Sequence, residues 1–356
     1  MNFSNEKNIK IIGIVLPKYS LGLLQHVIAV QKFFNDKFDF QAQLILPEEF
    51  KNHFYKETHT QTNIKYFVNF FQLSNFCKHL DYIYIYGPSI QAIPLIKIAK
   101  SCNSQVIYHI HEPTLTDLPS FSYIKKVLYS QYIKILLNHS DYIVVSSVYS
   151  QEYLLNKYDK FKYKIINSYL PFTDKIKIYH NLEKCFDAII WGKPSQYKGI
   201  NRYFELANSM PDYRFAILTT ESSYIQNKDL LKKLPNNIVL LIKLCLTDED
   251  INFFVSRSKV CLIPYQRITQ SGMIPVALRL GVPVITTDTG SNKEFIQNNL
   301  NGLLLPNDDG LIVNRITDIS NCIDNYENLY NSSIATFKQI FYYHKSVESL
   351  YQVLID

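Results

Sequence analysis

Residues 260–287 read VCLIPYQRITQSGMIPVALRLGVPVITT, and the order of pieces within them decides the fold. Val260–Pro264 and Pro283–Thr287 are short, near-continuously apolar runs, as expected of parallel strands covered on both faces. Between them, Ser271–Gly272 opens a segment in which Ile274, Ala277, Leu278 and Gly281 share one helical face. Met273, Val276 and Leu280 make the other face apolar too. Pro275 suits the first turn of such a helix, where a missing N–H costs little. A strand, a helix buried on both sides and a second strand make one βαβ crossover.

The same alternation runs outward to both ends of the chain. The second half offers further strands at Ala188–Trp191, Tyr213–Thr219, Asn237–Ile242 and Gly302–Leu305. The first half offers Ile9–Leu16, Gln43–Leu46, Tyr82–Tyr86, Gln105–Ile110, Tyr142–Ser146 and Tyr163–Ile166. Two sets of six predict an α/β protein with one doubly wound, Rossmann-like sheet in each half. The polar stretch Leu170–Glu183, which carries Pro171, marks the boundary. We expect a first domain over 1–175, a second over 176–341 and a terminal helical segment over 342–356. In that last segment Val347, Leu350, Tyr351 and Leu354 recur at i, i+3, i+4 and i+7, an amphipathic helix.

Composition narrows the class. With 356 residues, 47% hydrophobic and 19% charged, the chain is long enough for two domains with real cores. Its six cysteines stand singly, without a CxxC pair, which argues against a zinc site or a disulfide framework and suits a reducing compartment. The N-terminal apolar run is too short for a signal peptide, and no stretch reaches the length of a membrane span. These features predict a cytoplasmic protein, with contact at the inner face of the cytoplasmic membrane left open. The net charge of +6 suits an anionic lipid or a phosphorylated substrate. Nucleic acid is not expected, because no recognition motif accompanies the charge.

Ligands of open α/β sheets bind beyond the carboxyl ends of the strands, so the strand-to-helix turns hold the candidate residues. In WGKPSQYKG, 191–199, Gly192 permits a tight turn and Gly199 a close helix start, while Lys193 and Lys198 offer cations to a polyanion. A plain solvated loop is the competing reading. In the quoted stretch, Gln270, Ser271, Gly272 and Met273 form a helix start that either meets a ligand or is an ordinary N-cap. In DTGSNKE, 288–294, Glu294 either reaches a ribose or sugar hydroxyl or completes a capping box with Ser291. In YHIHEP, 108–113, alternation puts His109 and His111 on one face, with His111 and Glu112 at the strand's carboxyl end. Asp248-Glu249-Asp250 has a metal-binding spacing, but after Thr247 it reads more simply as the acidic first turn of a helix. No metal and no cofactor are expected.

Together these pieces resemble the family 4 (group 1) retaining glycosyltransferases of GT-B architecture, most strongly from Ala188 to Asn307. GKPSQYKG is similar to that family's G-R-x-x-x-x-K-G loop, and GVPVITTDTGSNKEFIQNNLNGLLLPNDDG to its G-x-P-V-V, G-G-x-x-E, N-G-x-L segment. DYIVVSSVYSQEYL resembles a first-domain strand, and His111 matches a cleft histidine. Two departures stand out: the family's paired glutamates correspond to Ile268 and Val276, and its N-terminal Gly-Gly loop is reduced to Gly22 in LPKYSLGLL.

The resemblance implies two Rossmann-like domains facing across a cleft, with the C-terminal helix crossing back to the first. It further implies transfer of a sugar, with retention and without metal, from a nucleoside diphosphate-sugar to a glycan or lipid-linked acceptor. Bacterial surface polysaccharide assembly, such as O-antigen or capsule, is the expected setting. His111, Lys193 and Lys198 would be catalytic; Gly192, Gln270, Ser271, Gly272, Met273 and Glu294 would hold the donor; Gly22 and Glu112 would lie on the acceptor side. A sugar-nucleotide epimerase and a catalytically silent partner subunit share the architecture and remain alternatives. Phe121–Leu137, with Lys125, Lys126 and Lys134 among apolar residues, reads either as a membrane-interface helix or as an ordinary domain helix.

Overall fold

Apolar strands that cannot satisfy their backbone alone pair in parallel wherever helices can cover both faces. A computed structural model of the chain, which describes residues 9–18, 20–51, 63–87, 89, 91–114, 122–173 and 182–356, shows two such sheets. Contacts cluster into one unit of Met1–Thr173 with Tyr342–Asp356 and a second of Asp174–Phe341. Part of the expected boundary segment, 174–181, lies outside the described residues.

The first unit carries β1 (Lys10–Val15), β2 (Phe40–Pro47), β3 (Ile64–Phe67), β4 (Tyr82–Tyr86), β5 (Gln105–His109), β6 (Tyr142–Val145) and β7 (Ile165–Asn167). Their order in the sheet is β3-β2-β1-β4-β5-β6-β7, all parallel. Period-two side-chain alternation divides the core: Ile12 and Ile14 pack on one face and Val15 on the other, and all three are buried. The sheet has seven strands where the sequence suggests six. The extra one, β3, is IKYF, a four-residue edge strand beyond β2 with one buried residue, so it lacks the apolar run of its neighbours. The last strand starts at Ile165, because Asp159–Lys164 winds as a 3-10 helix.

The second unit carries β8 (Phe186–Trp191), β9 (Phe215–Thr220), β10 (Ile238–Lys243), β11 (Ser258–Ile263), β12 (Val284–Thr287) and β13 (Gly302–Leu305). Their order is β10-β9-β8-β11-β12-β13, again all parallel. The helix between β11 and β12 runs Met273–Arg279, and all seven of its residues are buried.

The chain returns to the first unit for its last turns. Val347, Leu350, Tyr351 and Leu354 are buried in that unit's core beside Phe33, Phe34 and Phe40. Polar ties fix the seat: Tyr343 donates to the Asp36 carboxylate at 2.8 Å, and Ser168 to the Ser346 carbonyl at 2.7 Å.

Candidate functional site

In a doubly wound sheet the strand order reverses at one point, and a crevice opens beyond the carboxyl ends of the two strands there. In the second unit those strands are β8 and β11. The loop 192–199 follows β8 and leads into the helix Ile200–Ser209; the loop 264–272 follows β11. They are tied directly, the Tyr197 carbonyl accepting from Gln266 N–H at 2.9 Å. Gly199 makes the approach possible: it has φ +76°, and a Cβ there would lie 1.8 Å from the Pro264 carbonyl oxygen. The third loop joins them, since Ser291 N–H donates to the Thr269 carbonyl at 3.1 Å. Thus WGKPSQYKG, the YQRITQSG turn and DTGSNKE form one connected rim.

Lys198 sits within that rim. Its Nζ donates to the Trp191 carbonyl at 3.3 Å, its one hydrogen-bond partner among the described residues. A Cβ on Gly192 would stand 3.0 Å from the same ammonium, so the charge lies against the turn that ends β8. Burial pulls the lysine down to about 8, opposed weakly by the neighbouring Cys261 thiol. A partly buried cation with one carbonyl partner among the described residues is short of partners, and an anion would supply them. Lys193 is placed differently: it is exposed, and its ammonium donates to Gln226 Oε1 at 3.3 Å. The structure therefore separates the two lysines by environment, one sheltered and one solvated.

Around the rim, hydroxyls of Ser195, Thr219 and Ser291 are buried without a hydrogen-bond partner among the described residues. Buried polar atoms are ordinarily paired, so these orphans, in the loops after β8 and β12 and near the end of β9, suit a polar occupant. Gln270, Ser271 and Met273 are buried and Gly272 is exposed. The Ser271 hydroxyl shares a 2.8 Å hydrogen bond with the Tyr265 hydroxyl and accepts from Met273 N–H at 3.2 Å. The capping-box alternative for Glu294 does not form. Ser291 makes no side-chain cap, and Glu294 is half-buried in the four-residue helix Asn292–Phe295.

A residue that sequence reasoning missed braces the rim from below. Arg202, in the first turn of the helix Ile200–Ser209, is buried; its Nη1 donates to the Tyr265 carbonyl and to Asn307 Oδ1, each at 2.8 Å. Its Nε pairs with Asp309. Asn307 in turn donates to the Gln266 carbonyl at 3.1 Å. The signal was an arginine three residues past the second loop glycine and an Asn-Asp-Asp run, 307–309, neither specific alone. The Asp248-Glu249-Asp250 carboxylates serve the helix Asp248–Ser256, where Thr247 and Asp250 complete a reciprocal capping box and Asp250 pairs with Lys243 at 3.0 Å. Among the described residues, no three His, Cys, Asp or Glu side chains cluster as metal ligands.

In the first unit, His111 is half-buried two residues past the end of β5, its ring 6.5 Å from that of His109. Burial lowers it to about 4, so it is neutral near pH 7. His109 is fully engaged: its Nδ1 shares a 2.7 Å hydrogen bond with the Tyr84 hydroxyl and its Nε2 one of 2.6 Å with Ser146. The Glu112 carbonyl accepts from the Tyr129 hydroxyl at 2.8 Å. Gly22 is not in a loop but is the second residue of the helix Leu21–Asn35, and open space lies where its Cβ would be. Between the ends of β1 and β4 a cavity of about 250 Å³ is bounded by Leu16, Lys18, Ser20 and Tyr86, among others. The Tyr86 hydroxyl is buried without a partner among the described residues.

No protein of curated function matches the chain by sequence. Solved structures resemble it over nearly their full length. HepE of Anabaena, in complex with UDP and glucose, has 14% identity and a TM-score of 0.73, covering 98% of this chain and 99% of that one. A glycosyltransferase from Rickettsia africae has 15% identity and a TM-score of 0.68, covering 97% and 98%. The apo lipopolysaccharide outer core galactosyltransferase WaaB has 12% identity and a TM-score of 0.62, covering 97% and 99%. Residues 200–321 match the family described as glycosyl transferases group 1, a span that includes Arg202, the β11 loop and Glu294. The fold is GT-B, with two Rossmann-like parallel-sheet units of the kind these proteins share.

Proposed function

We propose that the chain is a glycosyltransferase that uses a nucleoside diphosphate-sugar, with the diphosphate held at the second unit's rim. The observation that carries this reading is Lys198: a sheltered ammonium at the strand-order reversal with one hydrogen-bond partner among the described residues, on a rim where the Ser195 and Ser291 hydroxyls have none among them. When the sugar's C–O bond breaks, negative charge grows on the departing diphosphate. A fixed cation in a poorly hydrated site meets that charge without reorganising. The group 1 match over residues 200–321, which begins just after Lys198 and takes in the β11 loop and Ser291, supports the assignment, as does the bound UDP in HepE.

Metal independence follows as part of the proposal: Lys198, with backbone N–H groups of the 269–273 turn, takes the role that a divalent ion takes elsewhere. Retention of anomeric configuration comes with the resemblance. His111, neutral near pH 7, would bond a sugar hydroxyl and is poorly suited to donate a proton. The acceptor is proposed to be a glycan or a lipid-linked oligosaccharide, in bacterial surface polysaccharide assembly at the inner face of the cytoplasmic membrane. The test is a thermal-shift screen of UDP, GDP, CMP and their sugars. One base class should raise the melting temperature and its sugar conjugate should be turned over; no response to any member would refute the reading. The anomeric proton coupling of the product then decides retention.

A further inference from the structure

The helix Tyr123–His139 buries Ile133, Leu136 and Leu137 in the first unit's core. An ordinary surface helix would carry polar residues on its other side. Here Tyr123 is 81% exposed, Ile124 70%, Leu128 64%, Val127 40% and Ile135 36%. At 100° per residue these five fall within an arc of about 140°, opposite the three buried residues. Gln131, Lys134 and Asn138 share that arc, so the open side is apolar chiefly over its first two turns, at Tyr123, Ile124, Val127 and Leu128, a cluster that soluble proteins seldom leave uncovered.

Charge indicates what covers it. Residues 118–140 contain Lys125, Lys126 and Lys134 and no acidic residue. Among the described residues none of the three lysines forms an ion pair. A second copy seated symmetrically on the patch would bring these unpaired lysines toward their own counterparts, which repel. An anionic lipid surface instead attracts them, while the alkyl stem of Lys134, which shares the arc, and the five apolar side chains enter the headgroup boundary; Lys125 flanks the arc and Lys126 lies on the far side of the helix. No helix among the described residues is long and apolar enough to cross a membrane, so the fitting mode is to lie on one.

We infer that the outward face of Tyr123–His139 docks on an anionic phospholipid surface. This does not depend on the donor reading. The full chain is sedimented with phosphatidylglycerol–phosphatidylcholine vesicles and with phosphatidylcholine vesicles alone. Wild type should bind the first far better, and less so as salt rises. Lys125→Gln/Lys126→Gln/Lys134→Gln should lose about fivefold in affinity per lysine. Ile124→Ser/Leu128→Ser should lose about tenfold or more. These positions are exposed, so circular dichroism and melting temperature should match wild type, and nucleotide-induced stabilisation should be unchanged. Failure to bind anionic vesicles, or wild-type binding by both variants, would overturn the inference. So would a dimer in sedimentation velocity that dissociates in Ile124→Ser/Leu128→Ser, which would assign the face to self-association.

Discussion

Replacing Lys198 by methionine should push folding stability and ligand affinity in opposite directions. The ammonium lies against the Gly192 turn with, among the described residues, only the Trp191 carbonyl to bond, and burial lowers it from 10.5 to about 8. The sign follows from linkage. The unfolded chain keeps this proton to higher pH than the folded one, so stability rises as pH climbs from about 8 through the ordinary lysine range. At pH 7 the charged form therefore costs the fold at most about 3 kcal/mol, at roughly 1.4 kcal/mol per pH unit. Methionine keeps much of the stem and removes the charge. It should leave the apo protein as stable as wild type or raise its melting point by a few degrees, at about 2–4 °C per kcal/mol.

Binding should move the other way. Loss of one preorganised cation from a charged site costs on the order of 3 kcal/mol, about 100-fold in rate or affinity. Calorimetry with whichever of UDP, GDP or CMP stabilises the wild type, from pH 6.5 to 9.5, reads the effect directly. Wild-type affinity should be flat below about 8 and fall above it, as the free protein loses the proton that the ligand needs; Lys198→Met should bind weakly at every pH. A variant that binds as tightly as wild type, or a wild type whose affinity ignores pH across 8, would refute the placement of the diphosphate beside Lys198.

Three further outcomes follow from the same rim. Gly199→Ala places a methyl 1.8 Å from the Pro264 carbonyl at φ +76°, so it should destabilise the second unit by several kcal/mol and abolish turnover, read by chemical denaturation and sugar transfer. Arg202→Gln removes the guanidinium that joins the Tyr265 carbonyl, Asn307 and Asp309; the Tyr265 carbonyl keeps the Thr287 hydroxyl and Asn307 is exposed, so the loss should be that of the charged hydrogen bonds, about 1.5–3 kcal/mol in all, and Arg202→Lys should not restore it, because an ammonium lacks the planar fork. Turnover should survive EDTA, since the Asp248 and Asp250 carboxylates lie at a helix start; restoration of lost activity by manganese would contradict this.

The strands and their parallel pairing were legible because apolar runs flanked by turn residues leave few alternatives. Val260–Pro264 and Pro283–Thr287 do become neighbours, as β11 and β12. The C-terminal helix was equally plain, its four apolar positions all entering the first unit's core. What escaped was set by tertiary context. β3 is an edge strand with little to bury, and the seating of Gly22 inside a helix depends on where the chain starts winding after Ser20. Arg202 could not be ranked from sequence because its importance lies in three acceptors more than 60 residues away. The two lysines of 192–199 looked alike in sequence, and only the fold of the loop shelters one and solvates the other. Likewise the open apolar face of Tyr123–His139 needed the fold to say which side is buried; Phe121, at the start of the segment singled out in sequence, lies outside the described residues.

The central claim is that one diphosphate is gripped where β8 and β11 part, and a crystal structure with the stabilising nucleoside diphosphate bound tests it most directly. The account predicts phosphate oxygens within hydrogen-bonding distance of Lys198 Nζ and of backbone N–H groups in the 269–273 turn. Density for the nucleotide elsewhere, with Lys198 still bonded only to the Trp191 carbonyl, would contradict it.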